Sequence, residues 1–444
     1  ALDAATKSVA ALHSAVSKLE KWVSDGKLSL VLRAEAAAWL VEHAPWPYAL
    51  GLGKQVVGEL RLRTAFSTAL GKALHCVEAQ DPRFSTALSE LARADMDVHW
   101  QTLLAEGLTQ AVSGCPSEES QRDLSEKLGP VWHAAAGKAK GEDLFAVRHR
   151  LLKALTRLGL ASPAPLIRDV LRDEKEPELR QLAALALARC RSLDPDLARL
   201  TLGDADPGVR TAMLSGLVGR RGDDVSALAA PLLAQDRWPM VRRAASEAMA
   251  ASCQSGSVSS QSLQAAVADS DESVADVSLS GLSRCVGPHG LSFYQSVLAD
   301  EKTTPSVRGQ ACVLVARYGL RGSRSAQAHQ AIRDGIGDLL DDPHAADRSL
   351  VAALVCIRSI GEHGDESEVV VLVPRLDRDA PMALRRGAAD SLIKICQRQK
   401  AAFDKDARKS LTELLKQAAE PSDGLLHGLL PKLQSACGPW SASR

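Results

Sequence analysis

One unit of sequence is written twice between Leu202 and Cys253, first as LGDADPGVRTAMLSGLVG and then as LAQDRWPMVRRAASEAMA. In each copy a leucine and an aspartate end one predicted helix, and a turn containing a proline follows. A hydrophobic residue and an arginine then begin a second helix of small apolar residues. Short amphipathic helices are stable only when their apolar faces pack against a neighbour. The duplication therefore predicts a stack of helix pairs.

The arginine of this unit recurs through most of the chain. Successive positions are separated by 32, 30, 32, 33, 33, 40 and 37 residues, and an alanine replaces one arginine. The column comprises Arg148, Arg180, Arg210, Arg242, Ala275, Arg308, Arg348 and Arg385. Second helices are predicted to begin near Leu144, Glu178, Gly208, Met240, Ser273, Ser306, Asp347 and Ala383. A period of about 30–40 residues is typical of a solenoid rather than a closed globule.

An aspartate column accompanies the arginines and leaves two hypotheses for them. It comprises Asp173, Asp206, Asp236, Asp271, Asp300, Asp342 and Asp379. On the first hypothesis, the aspartates accept hydrogen bonds from the arginines of the same or the next repeat and form a ladder that fixes register. On the second, unpaired arginines form a basic groove for an acidic peptide or a phosphate backbone. The candidate partner-binding residues are then Arg180, Arg210, Arg242, Arg243, Arg308, Arg385 and Arg386.

The unit D-x-x-x-x-V-R, followed by alanines at helical spacing, resembles a HEAT repeat, particularly the short bacterial repeats of the phycobilisome-lyase type. The resemblance covers about Arg148 to Cys396 and is clearest at DPGVRTAML, PMVRRAASEAM, PSVRGQACVL and MALRRGAADSL. It implies an all-α fold, a right-handed α-α superhelix. It also implies two classes of function. One is a non-catalytic scaffold or adaptor that binds a partner protein through its concave face and irregular loops, and the other is a HEAT-like enzyme, such as a chromophore lyase or a DNA glycosylase.

The repeat pattern is irregular before residue 140. The glycine-rich and charged segment GKAKGED, from Gly137, is the clearest linker in the sequence. We therefore expect an irregular helical N-terminal region over residues 1–140. A repeat array should follow over residues 141–444, closed by a helix that ends near Cys437. Within the first region, one long helix is predicted from Lys54 to Gln80, and five tryptophans are expected to form its core or an exposed patch.

Charge and hydropathy disfavour several classes of function. Lysine plus arginine equals aspartate plus glutamate at 54 each, whereas proteins that bind the phosphate backbone usually carry a large positive excess. Nucleic acid is therefore disfavoured as a partner, although a local basic face would be compatible with a neutral total. No run of residues approaches the roughly 18 apolar residues that a membrane span requires.

The nine cysteines contain no C-x-x-C pair, so neither a zinc ribbon nor a thioredoxin-like redox pair is predicted. Their number is odd, and several recur once per repeat, which favours small buried thiols in a reducing compartment over a disulfide framework. We therefore expect a cytoplasmic location. A periplasmic or secreted location stays open if a signal peptide was removed before Ala1.

Motifs that carry catalysis or bind cofactors are not recognised. GLGKQVVG, from Gly51, departs from a phosphate-binding loop, and neither G-x-S-x-G nor H-E-x-x-H occurs. His344, His363 and Asp365 lie near other acidic residues, but we expect them to be solvated loop residues rather than metal ligands. No cofactor, metal or small-molecule ligand is predicted. Extra residues near Arg321 and His363 are expected to form surface loops, either as part of a binding face or as insertions without function.

Overall fold

The computed structural model describes residues 14–44, 46–56, 58–74, 81–93, 97–112, 118–137, 142–220, 223–253, 257–320, 325–341, 346–377, 379–398 and 424–437. The regular elements in these ranges are helices, and no strand occurs among them. Packing contacts divide the chain into two units, Ala1–Leu217 and Val218–Arg444. The predicted all-α fold is confirmed.

In the first unit, helices of even number pack successively on one another from α2 to α12, and α5, α7 and α9 form a second layer beside them. The same alternation holds on both sides of residue 140, and the predicted domain boundary there stays a prediction. The helices are α1 (residues 14–24), α2 (Leu30–His43), α3 (Trp46–Val56), α4 (Leu60–Ala73), α5 (Pro82–Ala92), α6 (Val98–Ala111), α7 (Glu118–Gly137), α8 (Glu142–Leu158), α9 (Pro165–Asp173), α10 (Pro177–Arg189), α11 (Pro195–Leu202) and α12 (Pro207–Leu217).

The second unit repeats this arrangement. The even helices pack on one another in succession from α14 to α22, and α23 packs on α22. Each of α14, α16, α18 and α20 also packs on the helix that precedes it in the chain. The helices are α13 (Asp223–Gln235), α14 (Pro239–Ser252), α15 (Val258–Ala266), α16 (Glu272–Val286), α17 (Leu291–Ala299), α18 (Pro305–Gly319), α19 (Ser325–Asp341), α20 (Ala346–His363), α21 (Val369–Leu372), α22 (Met382–Arg398) and α23 (Gly424–Cys437).

Proline and capping side chains set the starts of the even helices. Proline is the first residue of α10, α12, α14 and α18, where its missing N–H would have no helical partner in any case. In α16 the cap is Asp271, whose carboxylate accepts hydrogen bonds from the N–H groups of Ser273 and Val274. Every predicted start of a second helix lies within two residues of an observed one, so these predictions are confirmed.

Small residues set how closely neighbouring even helices approach. A Cβ atom on Gly309 of α18 would lie 2.9 Å from the Cα atom of Ala352 in α20. Real Cβ atoms do not come this close to backbone, so only glycine fits at this crossing. The small residues Gly309 and Ala352 thus permit the short separation of α18 and α20.

Three predictions about individual segments are corrected or refined by the structure. The long helix from Lys54 to Gln80 is wrong, because α3 ends at Val56 and α4 starts at Leu60 after the extended residue Glu59. The segment after His363 is not a loop insertion, because α21 and the short 3-10 turns beside it occupy the place of a first helix. The tryptophans form a core in part: Trp100 and Trp132 are buried, whereas Trp22 is 39% exposed. The residues 321–324 and 138–141 of the other predicted loop and linker lie outside the described residues.

Two disulfides join neighbouring even helices of the second unit. Cys253 at the end of α14 pairs with Cys285 in α16, and Cys312 in α18 pairs with Cys356 in α20, with Cα atoms 5.4 Å apart in each pair. The expectation of reduced core thiols is therefore wrong for these four residues, and also for Cys396, which is disulfide-bonded. Cys253 and Cys285, which recur one repeat apart, face one another across the helix interface. The cytoplasmic location stays a prediction, but its argument from reduced thiols no longer applies to the disulfide-bonded cysteines.

Candidate partner-binding groove

The geometry that recurs along the arginine column is clearest at Arg180 and Arg242. Nε and Nη2 of Arg180 donate to the two carboxylate oxygens of Asp204 at 2.8 and 2.9 Å, and Arg242 donates to Asp269 at 2.7 Å through both nitrogens. Nη1 of Arg242 also donates to the carbonyl oxygen of Asp236 in the preceding turn, at 2.9 Å. Each guanidinium thus joins its own turn to the carboxylate of the next helix pair, as the ladder hypothesis requires.

For Arg180 and Arg242, the carboxylate partners lie two residues before the predicted ones. Asp204, rather than Asp206, accepts from Arg180, while Asp206 accepts from the N–H of Val209 at 3.0 Å and so caps α12. Burial alone would raise the pKa of Asp204, but the hydrogen bond from Arg180 holds that pKa below its ordinary value. The same bond raises the pKa of Arg180. In the turns Asp204-x-Asp206 and Asp269-x-Asp271 the first aspartate pairs with arginine and the second caps the helix.

The remaining candidate arginines differ in exposure. Arg210, Arg308 and Arg385 are buried, at 8%, 3% and 8% exposure. Arg308 donates to the carbonyl oxygen of Leu298 at 2.9 Å and to Asp338 at 3.3 Å. Nη1 of Arg210 donates to the carbonyl oxygen of Asp204 at 2.7 Å. The two exposed members are Arg243, which pairs with Glu247, and Arg386. A partner-binding role for these residues stays a prediction.

From α10 to α22, two even helices lack the arginine. It is the fourth residue of α10, α12, α14, α18 and α22, whereas α16 has Ala275 and α20 has Ser349 at that position, both buried. Arg348 therefore does not belong to the column. Its side chain is 79% exposed and pairs with Glu272 of α16 at 3.7 Å. The sequence spacing assigned Arg348 to the column because an arginine is the third residue of α20, one position before the buried Ser349.

An open groove of about 690 Å³ lies on α16, α18 and α20, which include the two helices without an arginine. Val351 and Val355 of α20 face it and are 60% and 38% exposed. Its remaining lining residues are Glu272, Asp276, Ser306, Gly309, Gln310, Val313, Asp347, Arg348 and Ala352. Exposed aliphatic side chains in a concave site favour binding of apolar groups from a partner.

The charged residues of the groove are mostly acidic. Three carboxylates, those of Glu272, Asp276 and Asp347, line it together with one guanidinium, that of Arg348. Burial raises the pKa of Asp276, the negative charge of Glu272 raises it further, and Arg243 of α14 opposes this shift. The amide of Gln310 lies between Asp276 and Ser280, oriented to donate to the aspartate and accept from the hydroxyl group. The local field in the groove therefore favours cationic groups.

Covalent and steric contacts hold the α18–α20 side of the groove in place. Cys312 directly precedes Val313 and Cys356 directly follows Val355, so their disulfide joins the two helices beneath the groove. The close approach of Gly309 to Ala352 adds a second fixed contact. A groove that is formed before binding reduces the entropy that a partner would otherwise lose in ordering it.

The other candidate sites of the sequence have different outcomes. Gly51–Lys54 lies within α3, so it is not a phosphate-binding loop, and Lys54 pairs with Glu90 at 3.4 Å. His344 lies outside the described residues, and His363 is the last residue of α20. Asp365 lies near His329 and Glu368. Among the described residues, no helix combines the length and the apolar character needed to cross a bilayer.

The fold resembles solved structures although no sequence family is recognised. No protein-family model and no curated protein matches the chain. A Kap121p mutant aligns with 96% of this chain and 49% of its own, at 14% identity and a TM-score of 0.57. Kap121p bound to Pho4p aligns with 96% of this chain and 50% of its own, at 13% identity and a TM-score of 0.52. The Kap95:Nup1 complex aligns with 96% of this chain and 63% of its own, at 12% identity and a TM-score of 0.54.

The chain thus spans less than two thirds of the length of these solved proteins. At such low identity the likeness shows the fold alone, which is a helical solenoid of HEAT repeats. The predicted HEAT-like fold class is confirmed. Membership of the phycobilisome-lyase-type group stays a prediction.

Proposed function

We propose that this protein is a non-catalytic scaffold and that its groove on α16, α18 and α20 binds an extended segment of a partner protein. The observation that carries the proposal is the groove itself, in which the side chains of Val351 and Val355 stay exposed. Solved proteins with a similar fold include Kap95 in complex with Nup1 and Kap121p bound to Pho4p. Helical solenoids of this kind are suited to binding extended segments along their surface.

The groove favours a partner segment that combines aliphatic and basic residues. Val351, Val355 and Val313 offer an apolar surface, and the three carboxylates around it outnumber the single guanidinium of Arg348. The proposed partner segment is therefore basic, whereas the arginine column predicted an acidic peptide. The arginines do not attract such a peptide, because Arg180 and Arg242 are already paired with carboxylates. With a formal net charge of zero for the whole chain, this local charge decides which segments are attracted.

A matched pair of substitutions tests this proposal. Val351→Lys removes an apolar contact from the groove and adds a positive charge there, whereas Val258→Lys makes the same change on α15, at a residue of nearly equal exposure: 60% for Val351 and 59% for Val258. Binding is measured against peptides that pair aliphatic residues with lysine or arginine, and against matched peptides with glutamate in place of the basic residues.

We expect binding of the basic peptides alone, a loss of at least about tenfold with Val351→Lys, which corresponds to about 1.4 kcal/mol, and no change with Val258→Lys. Equal binding of acidic and basic peptides, or equal loss with both variants, would contradict the proposal. Among the described residues, no observation favours the lyase, glycosylase or nucleic-acid alternatives, or the phycobilisome-lyase-type assignment.

A further inference from the structure

His329, Asp365 and Glu368 form a cluster away from the groove, between α19 and the turn that follows α20. One ligand atom from each of the three side chains lies within 4.8 Å of the other two. Nδ1 of His329 contacts Oε1 of Glu368 directly. The N–H of Asp365 donates to Oε2 of Glu368 at 2.9 Å, which fixes the turn that brings both carboxylates together.

The charges of this cluster are poorly balanced. The side chain of Glu368 is 1% exposed and that of His329 is 12% exposed. Within the described residues, the imidazole of His329 is the single side chain that forms an ion pair with these two carboxylates. The nearby guanidinium of Arg398 donates instead to the carbonyl oxygens of Gly361 and Gly364. Buried carboxylates are stable when they are paired with a cation or bind a metal ion.

The donor atoms also suit a particular class of cation. One imidazole nitrogen with two carboxylate oxygens favours Zn²⁺ and related transition metals over Mg²⁺ and Ca²⁺, which prefer oxygen ligands throughout. Zinc binds such atoms at about 2.0–2.2 Å, which places neighbouring ligand atoms about 3.4 Å apart. The observed ligand atoms lie within 4.8 Å of one another, so the side chains must adjust to reach that spacing when a metal ion binds.

A supporting contact orients the imidazole. Nε2 of His329 lies 3.1 Å from Oγ of Ser367, and this hydroxyl group also contacts the carboxylate of Asp365. Histidines that bind metals usually hydrogen-bond a polar group through the second ring nitrogen, which fixes the ring and its tautomer. Here that contact leaves Nδ1 directed at Glu368.

We propose that His329, Asp365 and Glu368 bind one divalent transition-metal ion, with Zn²⁺ as the best fit. The three side chains supply three ligands and leave one position for solvent. Because His329 belongs to α19 and the carboxylates follow α20, the ion stabilises the attachment of this turn to α19. The proposal does not depend on the binding of a partner to the groove.

Calorimetry on the full chain, stripped of metal with a chelator, tests the site with ZnCl₂ and with MgCl₂. The variant Glu368→Gln keeps the shape of the side chain and removes its charge, and Asp365→Asn does the same at a less buried position. Glu362→Gln is the control, because Glu362 is an exposed residue six positions before Glu368. Circular dichroism confirms that each variant is folded.

We expect one Zn²⁺ per chain with a Kd in the micromolar range or below, and no comparable binding of Mg²⁺. Asp365→Asn and Glu368→Gln should each weaken Zn²⁺ binding at least about tenfold, and Glu362→Gln should leave it unchanged. Zinc should also raise the Tm of the wild type but not that of Glu368→Gln. Failure of the wild type to bind, unchanged binding by Asp365→Asn, or Co²⁺ spectra typical of cysteine ligands would overturn the proposal.

Discussion

Two stretches of the molecule use the same helix pair in different ways. In the first unit, both α10 and α12 have the arginine, and Arg180 joins one helix pair to the next through Asp204. In α16–α20 of the second unit, two of the three even helices lack it. Helix α16 also packs less extensively on α18 than α18 does on α20. The comparison indicates that the interruption of the arginine ladder at α16 leaves an open groove beside α18, although α20 packs extensively on α22 without the arginine.

The second stretch is held by other contacts. The disulfide between Cys312 and Cys356 joins α18 to α20, and Arg308 bonds to a carbonyl oxygen and to Asp338. Between α16 and α18, the contact of Gln310 with Asp276 and Ser280 replaces the ion pair that Ala275 cannot form. Four predictions follow from this difference, and they are ordered by the size of the expected effect.

Removal of the groove disulfide should have the largest effect on stability. Cys312→Ala combined with Cys356→Ala opens a loop of 44 residues, and the chain-entropy relation gives a loss of about 4 kcal/mol. Cys190→Ala, a change at a buried cysteine outside the two disulfides, should cost clearly less. Urea unfolding without reductant measures both. If the double variant matched the wild type, the disulfide would not stabilise this stretch.

Loss of one arginine contact should cost somewhat less. Arg242→Met leaves the carboxylate of Asp269, which is 9% exposed, without its partner, and we expect a loss of about 2–3 kcal/mol in the free energy of unfolding. The adjacent Arg243 is half exposed and pairs with the exposed Glu247, so Arg243→Met should cost less than about 0.5 kcal/mol. The midpoints of urea unfolding measure the loss of stability in both variants. Equal losses at the two positions would refute the structural role of the ladder.

The ladder should also make stability depend on acid pH. The folded-state pKa of Asp204 lies below its ordinary value of 3.8, so the unfolded chain binds the proton more tightly. The stabilisation is therefore complete above that ordinary value and is lost as the pH falls through the folded-state pKa. Urea unfolding between pH 6 and pH 3 should show a shallower decline for Asp204→Asn than for the wild type. The exposed control Asp196→Asn should retain the decline of the wild type.

A change of charge at the edge of the groove should have the smallest effect. Asp347→Lys reverses one of three carboxylates, and we expect basic peptides to bind about three- to tenfold more weakly, or up to about 1 kcal/mol. Added salt should reduce this difference. Asp196→Lys, at a side chain that is 94% exposed, provides the control. Tighter binding by Asp347→Lys would show that the groove prefers the opposite charge.

Local sequence signals predicted the helices well but not their partners. The proline and arginine of each unit placed the second helices to within two residues, because both act within one turn of a helix start. The carboxylate partners were displaced by two residues, because both aspartates of Asp204-x-Asp206 are equally acceptable to sequence pattern alone. Only the fold shows that the second one is occupied by the N–H of Val209.

The groove could be predicted only in part. Ala275 was visible as a missing arginine, but Ser349 was hidden because Arg348 stands one position earlier. The exposure of Val351 depends on how far apart neighbouring helices lie, which no local pattern encodes. The spacing of the cysteines was a further signal in the sequence, and it was misinterpreted. Cys253 and Cys285 are one repeat apart at equivalent positions, which predicts contact between them, yet that spacing was interpreted as a sign of reduced thiols.

Site-specific photo-crosslinking tests the central claim, that the interrupted ladder opens a groove for a partner protein, most directly. A benzophenone amino acid replaces Val351 in one sample and Val258, of nearly equal exposure, in another, and each is irradiated with the partner proteins of the source cell. The account predicts crosslinks at position 351 to segments that combine aliphatic and basic residues, and none at position 258. Crosslinks of equal yield at both positions, or crosslinks at 351 only to acidic segments, would contradict it.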